Sequence, residues 1–368
     1  MAAASSASGC DVAVRQRHAP NAKCGGGSLR SAELGGGGGH PVFLRCVGSR
    51  LSGPVRRRIE IGRVTARVTT HPWPSAYDPA VIPKPRPRTS GRATSSDGIE
   101  IAWYRYGDGL RQILFVPTWN IVDARVVGHQ VAALQRHATV VTYDPRGHGA
   151  SDRPPHRYDF ANHAADAYAV MQANGLRRPA IVTASRGLNA ALLLATDHPD
   201  RVERLVSVAS YMELEPRAAP IDPERLESWR TNWAGFVVPF LRSVFPEAGS
   251  EKVIEEVIGI AMEATPEIIA TQETELDWSV PAERLFSVGC PTLILHGSDD
   301  IVPVALAERI AATMPNARLE VIPNAGHRPD IRSPEIVNPI LMDFLVRGTP
   351  SGPSPRPRQA SSGRTSHT

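Results

Sequence analysis

The sequence is poor in cysteine and contains no long apolar run. Only 4 of its 368 residues are cysteine, and Cys10, Cys24 and Cys46 lie near the N-terminus. The rest of the chain holds Cys290 alone and needs no disulfide framework, which fits a reducing, cytoplasmic compartment. No stretch reaches the roughly 18 apolar residues that indicate a membrane span. We therefore expect no membrane partner.

Motifs for metals and nucleotides are absent as well. The histidines show no H-E-x-x-H or comparable ligand spacing, so we predict no metal site. Neither G-x-x-x-x-G-K-[ST] nor G-x-G-x-x-G occurs, and the glycine run at residues 35–39 follows no predicted strand. We therefore predict no nucleotide site and no cofactor.

Basic residues are concentrated near the two ends. Residues 1–95 contain 15 Lys and Arg against 4 Asp and Glu, and residues 350–368 contain 3 against none. The net charge of +4 therefore comes from the ends, and the region between them is acidic. A basic protein indicates a nucleic-acid partner when its charge lies on a folded face, so we expect no such partner here.

The same two ends lack the composition of a folded domain. Proline alternates with basic residues over residues 83–88, glycine runs precede them, and the last residues are rich in proline, serine and arginine. Such segments bury too little apolar surface to offset the entropy lost on ordering. We predict a disordered basic head over residues 1–92, one domain over 93–349 and a disordered tail over 350–368. For the head, a transit peptide and sequence translated from upstream of the true start both stay open.

Strands alternate with helices along the predicted domain. Apolar runs typical of buried strands recur at residues 113–116, 139–143 and 292–295, and a turn at 107–109 closes the first predicted strand. The alternation predicts an α/β fold with a mostly parallel, doubly wound sheet. Helix-like pieces interrupt it over about 212–286, and we predict that they form a helical lid over the carboxyl edge of the sheet.

Ser185 lies at a predicted sharp turn between a strand and a helix. The turn carries the segment Thr183-Ala184-Ser185-Arg186-Gly187. A strained turn of this kind lifts a serine hydroxyl above the sheet edge, and its usual signature is G-x-S-x-G. Here threonine replaces the first glycine. A serine that only caps the helix is the alternative interpretation.

An acidic and a basic residue follow two later strands. Asp300 ends the segment His296-Gly297-Ser298-Asp299-Asp300, and His327 follows the next strand, one helix later. Histidine can take a proton from serine, and a carboxylate can orient that histidine. We therefore predict Ser185, Asp300 and His327 as the catalytic residues. Taken singly, Asp300 fits a turn and His327 a cap, and Asp299 is a competitor for the acid.

Further motifs show a resemblance to a known family. They are the loop Asp144-Pro145-Arg146-Gly147-His148-Gly149-Ala150-Ser151-Asp152, the segment Asp197-His198-Pro199-Asp200-Arg201-Val202, and the 13 residues that separate Ser185 from His198. In these motifs and in the order Ser, Asp, His, residues 95–348 resemble the α/β-hydrolase superfamily. More narrowly, they resemble its bacterial branch that occurs alone or fused to nucleotide-cyclase and regulator domains. We expect Arg146 and Asp152 to hold their loop through hydrogen bonds.

The resemblance also implies an oxyanion hole built from the backbone N–H groups of Trp119 and Arg186. The family commonly has His-Gly where Pro117-Thr118 stand here, and Thr183 and Leu188 replace small residues at the turn. Because of these departures, a non-catalytic ligand-binding or regulatory protein is the alternative function. For the Arg186 side chain, contact with an anionic substrate, exposure to solvent and pairing within a loop are all open.

These features predict a serine hydrolase that cleaves a small-molecule ester or related acyl substrate through an acyl-enzyme. The aromatic residues of the predicted lid fit either an apolar substrate pocket or ordinary core packing. A serine in the nucleophile position argues against haloalkane dehalogenase and epoxide hydrolase chemistry, which the resemblance associates with aspartate. Hydrolysis of carbon–carbon bonds and perhydrolysis use the same triad and stay open. We make no prediction of the oligomeric state.

Overall fold

The computed structural model describes residues 81–214, 221–276 and 283–348, which all belong to one compact unit. Its strands are β1 (Thr89–Thr94), β2 (Glu100–Phe115), β3 (Ala138–Tyr143), β4 (Ala180–Ala184), β5 (Arg204–Val208), β6 (Thr292–Gly297) and β7 (Ala317–Ile322). Its α-helices are α1 (Gly128–Leu134), α2 (Phe160–Ala173), α3 (Gly187–Asp197), α4 (Pro223–Thr231), α5 (Trp233–Val244), α6 (Glu251–Ala261), α7 (Pro266–Glu275), α8 (Glu283–Phe286), α9 (Val304–Thr313), α10 (Pro329–Arg332) and α11 (Pro334–Met342). Short 3₁₀ turns cover Ala124–Val127 and Pro199–Arg201, and a π-helical turn covers Asp343–Arg347.

The described strands form one sheet in the order β1-β2-β4-β5-β6-β7, with β3 paired to β2. Strand β2 is bent, because Val140 of β3 pairs both with Tyr106 in its first half and with Ile113 in its second half. The bend lies near Gly107, which has a φ of 64°, and a Cβ there would come within 2.2 Å of the carbonyl oxygen of Ala138. The chain therefore reverses at the turn predicted for residues 107–109, and β3 lies between the two halves of β2.

The central strands β2, β4, β5, β6 and β7 run parallel to their neighbours in that order. Successive side chains of a strand point to opposite faces of the sheet. Ile181 of β4 belongs to the apolar cluster that α2 and α3 cover, and the adjacent Val182 belongs to the cluster that α1 and α11 cover. Both faces are therefore buried, which explains the wholly apolar runs and confirms the predicted α/β fold.

Helices α4 to α8 lie between β5 and β6, and we call them the helical segment. Side chains of α4 to α7 share an apolar cluster distinct from those on the two faces of the sheet, whereas Leu285 of α8 packs in the cluster that α2 and α3 cover. Trp229, Trp233 and Leu241 lie in the cluster of α4 to α7, and so does Trp119 from the loop after β2. This cluster is what joins the helical segment to the carboxyl edge of the sheet. The limits predicted for the lid, 212–286, include residues outside the described ranges and remain a prediction.

The boundary predicted for the disordered head is wrong over residues 81–92. Ile82 is buried, and its N–H donates to Glu256 Oε2 at 2.9 Å. Strand β1 pairs antiparallel with β2, and the Arg88 N–H donates to the carbonyl of Arg105 at 2.8 Å. Composition does not reveal such backbone pairing, because an added strand needs only the free edge of a sheet to pair with. The rest of the predicted head and the predicted tail lie outside the described residues.

Two further findings bear on the expectations drawn from composition. None of the helices in the described ranges is both long enough and apolar enough to cross a membrane. Cys290 is buried as a free thiol, and burial raises the pKa of that thiol to about 11. Cys290 therefore stays protonated and unreactive at neutral pH.

Candidate active site

The carboxyl edge of the sheet gathers the predicted site residues. Ser185 follows β4, Asp300 follows β6 and His327 follows β7, while Trp119 follows β2. Because these strands are parallel neighbours, their carboxyl ends meet at one edge, where α/β folds bind ligands. The structure thus brings together residues that lie up to 208 positions apart.

Ser185 occupies a strained turn. Its φ is 48°, in the left-handed region that L-residues rarely adopt. Its N–H donates to the carbonyl of Val208 at 2.8 Å, and its own carbonyl accepts from the N–H groups of Leu188 and Tyr211 at 3.2 Å each. The backbone is therefore fixed from three sides. This holds the serine hydroxyl above the end of β4, as the strand–turn–helix pattern predicted.

Thr183 is accommodated by a hydrogen bond of its own. Its hydroxyl donates to the carbonyl of Val116 at 3.0 Å, so the loop that leads to Trp119 is tied to β4 at this point. The space for this contact comes from Gly187. A Cβ at Gly187 would lie 2.1 Å from Thr183 Oγ1 and 2.3 Å from the carbonyl oxygen of Pro117. Gly187, the glycine of the G-x-S-x-G signature that is kept here, is required because α3 and the loop after β2 approach closely at this point.

We expect Gly187→Ala to lower the free energy of unfolding by about 1–3 kcal/mol, the usual cost of overpacking. The clash involves the Pro117 backbone and so cannot be relieved by rotating a side chain. Gly259 of α6 offers a matched control, since it is also helical and has no heavy atom within 4 Å of its would-be Cβ. Gly259→Ala should instead stabilise by about 0.5–1 kcal/mol through helix propensity. Urea denaturation followed by circular dichroism measures both, and equal effects would contradict the steric argument.

Ser185, His327 and Asp300 form one hydrogen-bonded chain. His327 Nδ1 lies 2.7 Å from Asp300 Oδ1, and His327 Nε2 lies 3.0 Å from Ser185 Oγ. A carboxylate oxygen only accepts, so the proton of the neutral imidazole is on Nδ1. Nε2 is then an acceptor for the serine hydroxyl. The arrangement can move a proton from Ser185 to His327 while Asp300 holds the ring.

Asp300 is held by groups that its sequence motif did not single out. Its side chain is fully buried, and the Val302 N–H donates to Oδ1 at 2.7 Å. His296 Nε2 lies 2.8 Å from the Val302 carbonyl oxygen and 3.3 Å from Asp300 Oδ2. The competitor, Asp299, is exposed and accepts from the Ser298 hydroxyl at 2.9 Å. Of the two carboxylates, Asp300 is the one that contacts His327 within the described residues.

The loop that carries His327 is anchored to the helical segment. The His327 N–H donates to the carbonyl of Val244, the last residue of α5, at 3.0 Å. The Gly326 N–H donates to Glu247 Oε1 at 2.7 Å. A Cβ at Gly326 would lie 2.3 Å from the Pro246 side chain, so the His327 loop and the segment after α5 approach closely. His327 is therefore positioned by the helical segment as well as by the sheet.

The loop after β2 has its own supports. The Asn120 side chain donates to the carbonyl of Arg146 at 2.6 Å, and Asp123 caps the 3₁₀ turn by accepting from the Arg125 N–H at 3.0 Å. Burial alone would raise the pKa of Asp123, but hydrogen bonds from His148 and Arg125 outweigh burial and hold that pKa well below its usual range. Asp123 thus stays charged and keeps Arg125 in place. These contacts fix the backbone that follows Trp119.

Arg146 and Asp152 hold the loop after β3. The buried Arg146 guanidinium donates to both carboxylate oxygens of Asp166 and to Asp97, and the Glu100 N–H donates to Asp152 Oδ2 at 3.0 Å. These hydrogen bonds are the kind that we expected for the two residues.

A narrow apolar cavity opens at Ser185 and His327. Its volume is about 50 Å³, and its wall includes Trp119, Phe240 and Leu241. A second cavity of about 670 Å³ lies between residues 82–87 and α6, and its lining includes neither Ser185 nor His327. The small cavity can therefore place a ligand against the serine.

The Arg186 side chain is paired with a residue that sequence reasoning did not identify. It forms a short ion pair with the fully buried carboxylate of Glu273 in α7. Of the two possibilities left open for this side chain, pairing is the one present. Glu273 lies in the polar stretch Pro266–Glu275, where no pattern marks it as buried. No group of three or more His, Cys, Asp or Glu suited to a metal occurs among the described residues.

Comparison with known proteins gives relatives that share the α/β-hydrolase fold. The profile of the alpha/beta hydrolase fold family matches residues 125–329. A non-heme haloperoxidase of Rhodococcus erythropolis is 32% identical over 276 residues, which is 68% of this chain and 98% of that protein. The candidate carbamate hydrolase RutD of Caulobacter sp. (strain K31) is 32% identical over 227 residues, covering 59% of this chain and 84% of that protein.

A solved structure of a thermophilic esterase from Thermogutta terrifontis superposes with a TM-score of 0.62 and 27% identity. The match covers 70% of this chain and 98% of the esterase. Together with the parallel sheet and the strand–turn–helix geometry at Ser185, these findings establish that the chain belongs to the α/β-hydrolase family and is a hydrolase of that fold.

Proposed function

We propose that the protein is a serine hydrolase that cleaves a small-molecule ester or related acyl substrate through an acyl-enzyme. The observation that carries the proposal is the hydrogen-bonded chain Asp300–His327–Ser185, in which His327 Nε2 is free to accept the serine proton. A serine hydroxyl becomes an effective nucleophile only with such a base beside it. Asp300 orients the base and stabilises the imidazolium that forms.

In the first half of the reaction, Ser185 Oγ attacks the substrate carbonyl carbon while its proton moves to His327 Nε2. The negative charge that develops on the carbonyl oxygen is stabilised by the backbone N–H groups of Trp119 and Arg186. The bond to the leaving alcohol then breaks, and the alcohol takes the proton from His327. The acyl group is left bonded to Ser185.

In the second half, water attacks the acyl carbon and gives a proton to His327. The bond to Ser185 Oγ breaks, the carboxylic acid leaves, and the proton returns to the serine. Both halves need the same two oxyanion donors, and removing one such donor typically lowers the rate by about 10²–10³.

The cavity indicates the size and polarity of the acyl part. A volume of about 50 Å³ beside Ser185, walled by Trp119 and Phe240, favours a short apolar group. Esters of short acids are therefore the first substrates to test, together with a carbamate ester, since one relative is named as a carbamate hydrolase.

Covalent labelling tests the proposal directly. A fluorophosphonate probe should bond to Ser185 of the full-length chain, because an activated serine oxygen displaces fluoride from phosphorus. Mass spectrometry of the digested protein would locate the phosphonate on the peptide that contains Ser185. Label on another residue, or no label on a folded chain, would reject the proposed nucleophile and favour a ligand-binding role for the pocket.

Perhydrolysis is a second candidate, and the haloperoxidase relative is the observation that favours it. In this reaction hydrogen peroxide replaces water, attacks the acyl-enzyme and releases a peroxyacid with the same proton transfers. Adding peroxide to an ester assay would reveal the peroxyacid by its oxidation of bromide.

A further inference from the structure

The Arg186 side chain is held away from solvent by two contacts. Its NH1 donates to Glu273 Oε1, and only 17% of the arginine side chain and none of the glutamate side chain is exposed. Its guanidinium carbon lies 4.2 Å from the centroid of the Trp119 ring. One guanidinium therefore joins the turn after β4, the loop after β2 and helix α7.

The ion pair fixes the guanidinium strongly. Glu273 Oε2 has no hydrogen-bond partner among the described residues, so the hydrogen bond from Arg186 is the one that compensates the buried charge. A buried carboxylate without a partner is costly, and breaking such a pair leaves that cost in full. Arg186 therefore has little freedom to turn toward a substrate, and its charge is already neutralised.

A fixed guanidinium in turn fixes Trp119. Cations are attracted to the faces of aromatic rings, and tryptophan is the best of these rings. The Trp119 ring also meets Phe240 at 5.5 Å and Phe236 at 5.9 Å, edge to face, from α5. With the ring held by Arg186 and by α5, and the neighbouring backbone held by Asn120 and Asp123, the Trp119 N–H keeps one position relative to Ser185.

We propose that Arg186 is a positioning residue for the oxyanion hole. Held by Glu273, its guanidinium sets Trp119 against the turn that carries Ser185, so that the backbone N–H groups of Trp119 and Arg186 converge on the same oxygen. This inference rests on the proposed function, because it concerns the transition state of acyl transfer. It assigns Glu273, which is remote from Ser185 in sequence, an effect on the rate rather than on substrate binding.

Three variants of the full-length protein test the proposal on a neutral short-chain ester. For Arg186→Met and for Arg186→Met/Glu273→Gln, kcat should fall about 10- to 100-fold with KM within threefold, because a displaced donor loses part of its 10²–10³ contribution. Glu273→Gln should lower kcat about tenfold. The double variant leaves no unpaired buried charge, so it remains testable where Arg186→Met does not fold. Because Arg186 and Glu273 act through the same ion pair, the fall in kcat of the double variant should not exceed that of Arg186→Met.

Each kcat is calculated per active site, with the active sites counted by fluorophosphonate labelling. Unfolded molecules in a sample therefore do not lower the measured kcat. The matched control is Asp197→Asn, which removes the ion pair with Arg284 at the opposite end of α3. It should leave kcat and KM unchanged. The same measurements on a carboxylate-bearing analogue of the ester should give equal losses in kcat.

The outcomes separate the two proposals. A wild-type chain that neither hydrolyses esters nor takes the label would overturn the proposed function and this inference with it. An active wild type whose kcat is unchanged in Glu273→Gln and in the double variant would overturn the positioning role alone. A rise in KM confined to the carboxylate-bearing substrate would also overturn it, because that result would make Arg186 a substrate-binding residue.

Discussion

Ser185→Ala should lower kcat for ester hydrolysis on the order of 10⁶-fold, the loss that follows when a serine nucleophile is removed from a triad. The variant keeps the donated N–H of residue 185 and both accepted hydrogen bonds, since these involve only the backbone. His327 keeps Asp300 but has no hydroxyl to deprotonate. We therefore expect a folded protein that still binds substrate and has almost no turnover. Steady-state kinetics with a chromogenic short-chain ester, beside thermal unfolding, measures both properties.

Ser210→Ala is the matched control for this prediction. Ser210 is also buried, follows the neighbouring strand β5 at the same sheet edge, and donates to the Ser207 hydroxyl at 2.7 Å. This hydrogen bond involves neither His327 nor Asp300. Activity within a few-fold of wild type is expected. If both variants lost activity equally, the loss would reflect disturbance of the sheet edge, and Ser185 would not be the nucleophile.

Asp300→Asn should lower kcat about 10⁴-fold, as expected when the residue that sets the histidine tautomer is neutralised. Both oxygens of Asp300 face nitrogen atoms: Oδ1 lies 2.7 Å from Val302 N and from His327 Nδ1, and Oδ2 lies 3.3 Å from His296 Nε2. The amide NH₂ of asparagine would therefore meet another N–H in either orientation. If the NH₂ group turned toward His327, it would donate to Nδ1 and the imidazole proton would lie on Nε2. A protonated Nε2 cannot accept the proton of the Ser185 hydroxyl.

Asp299→Asn provides the comparison, because it makes the same chemical change one residue earlier. Asp299 is exposed and contacts the Ser298 hydroxyl, so its variant should keep kcat within a few-fold of wild type. The kcat values of the two variants, measured with one ester at one pH, decide which carboxylate serves His327. Greater loss in the Asp299 variant would assign the acid to the other residue.

The fold was predictable from the sequence because its signals are local. The apolar run of β4 followed by a turn and α3 is readable within a few residues of Ser185, and so is the run of β6 before Asp300. Parallel strands share a carboxyl edge, which is enough to predict that these side chains meet. The pairing of β1 was missed, since an added edge strand needs only a free edge of the sheet to pair with.

Parts of the site depend on contacts that leave no local pattern. Glu273 lies in a polar helix, and its burial against Arg186 follows only from how α7 packs beside the turn after β4. His296 was noted as part of a motif, yet its contact with Asp300 requires the turn geometry after β6. Neither contact follows from helix or strand period, because tertiary packing sets the Arg186–Glu273 pair and the turn after β6 sets the His296–Asp300 pair.

The anchoring of the His327 loop limits how this enzyme could be rebuilt. The carbonyl of Val244 and the carboxylate of Glu247 hold the two N–H groups that place the base, and both belong to the chain between β5 and β6. That stretch is therefore not a detachable cap. Replacing this stretch with that of another hydrolase, in order to change substrate preference, would also remove the two acceptors that position His327. The replacement would have to supply an acceptor at each of these two positions.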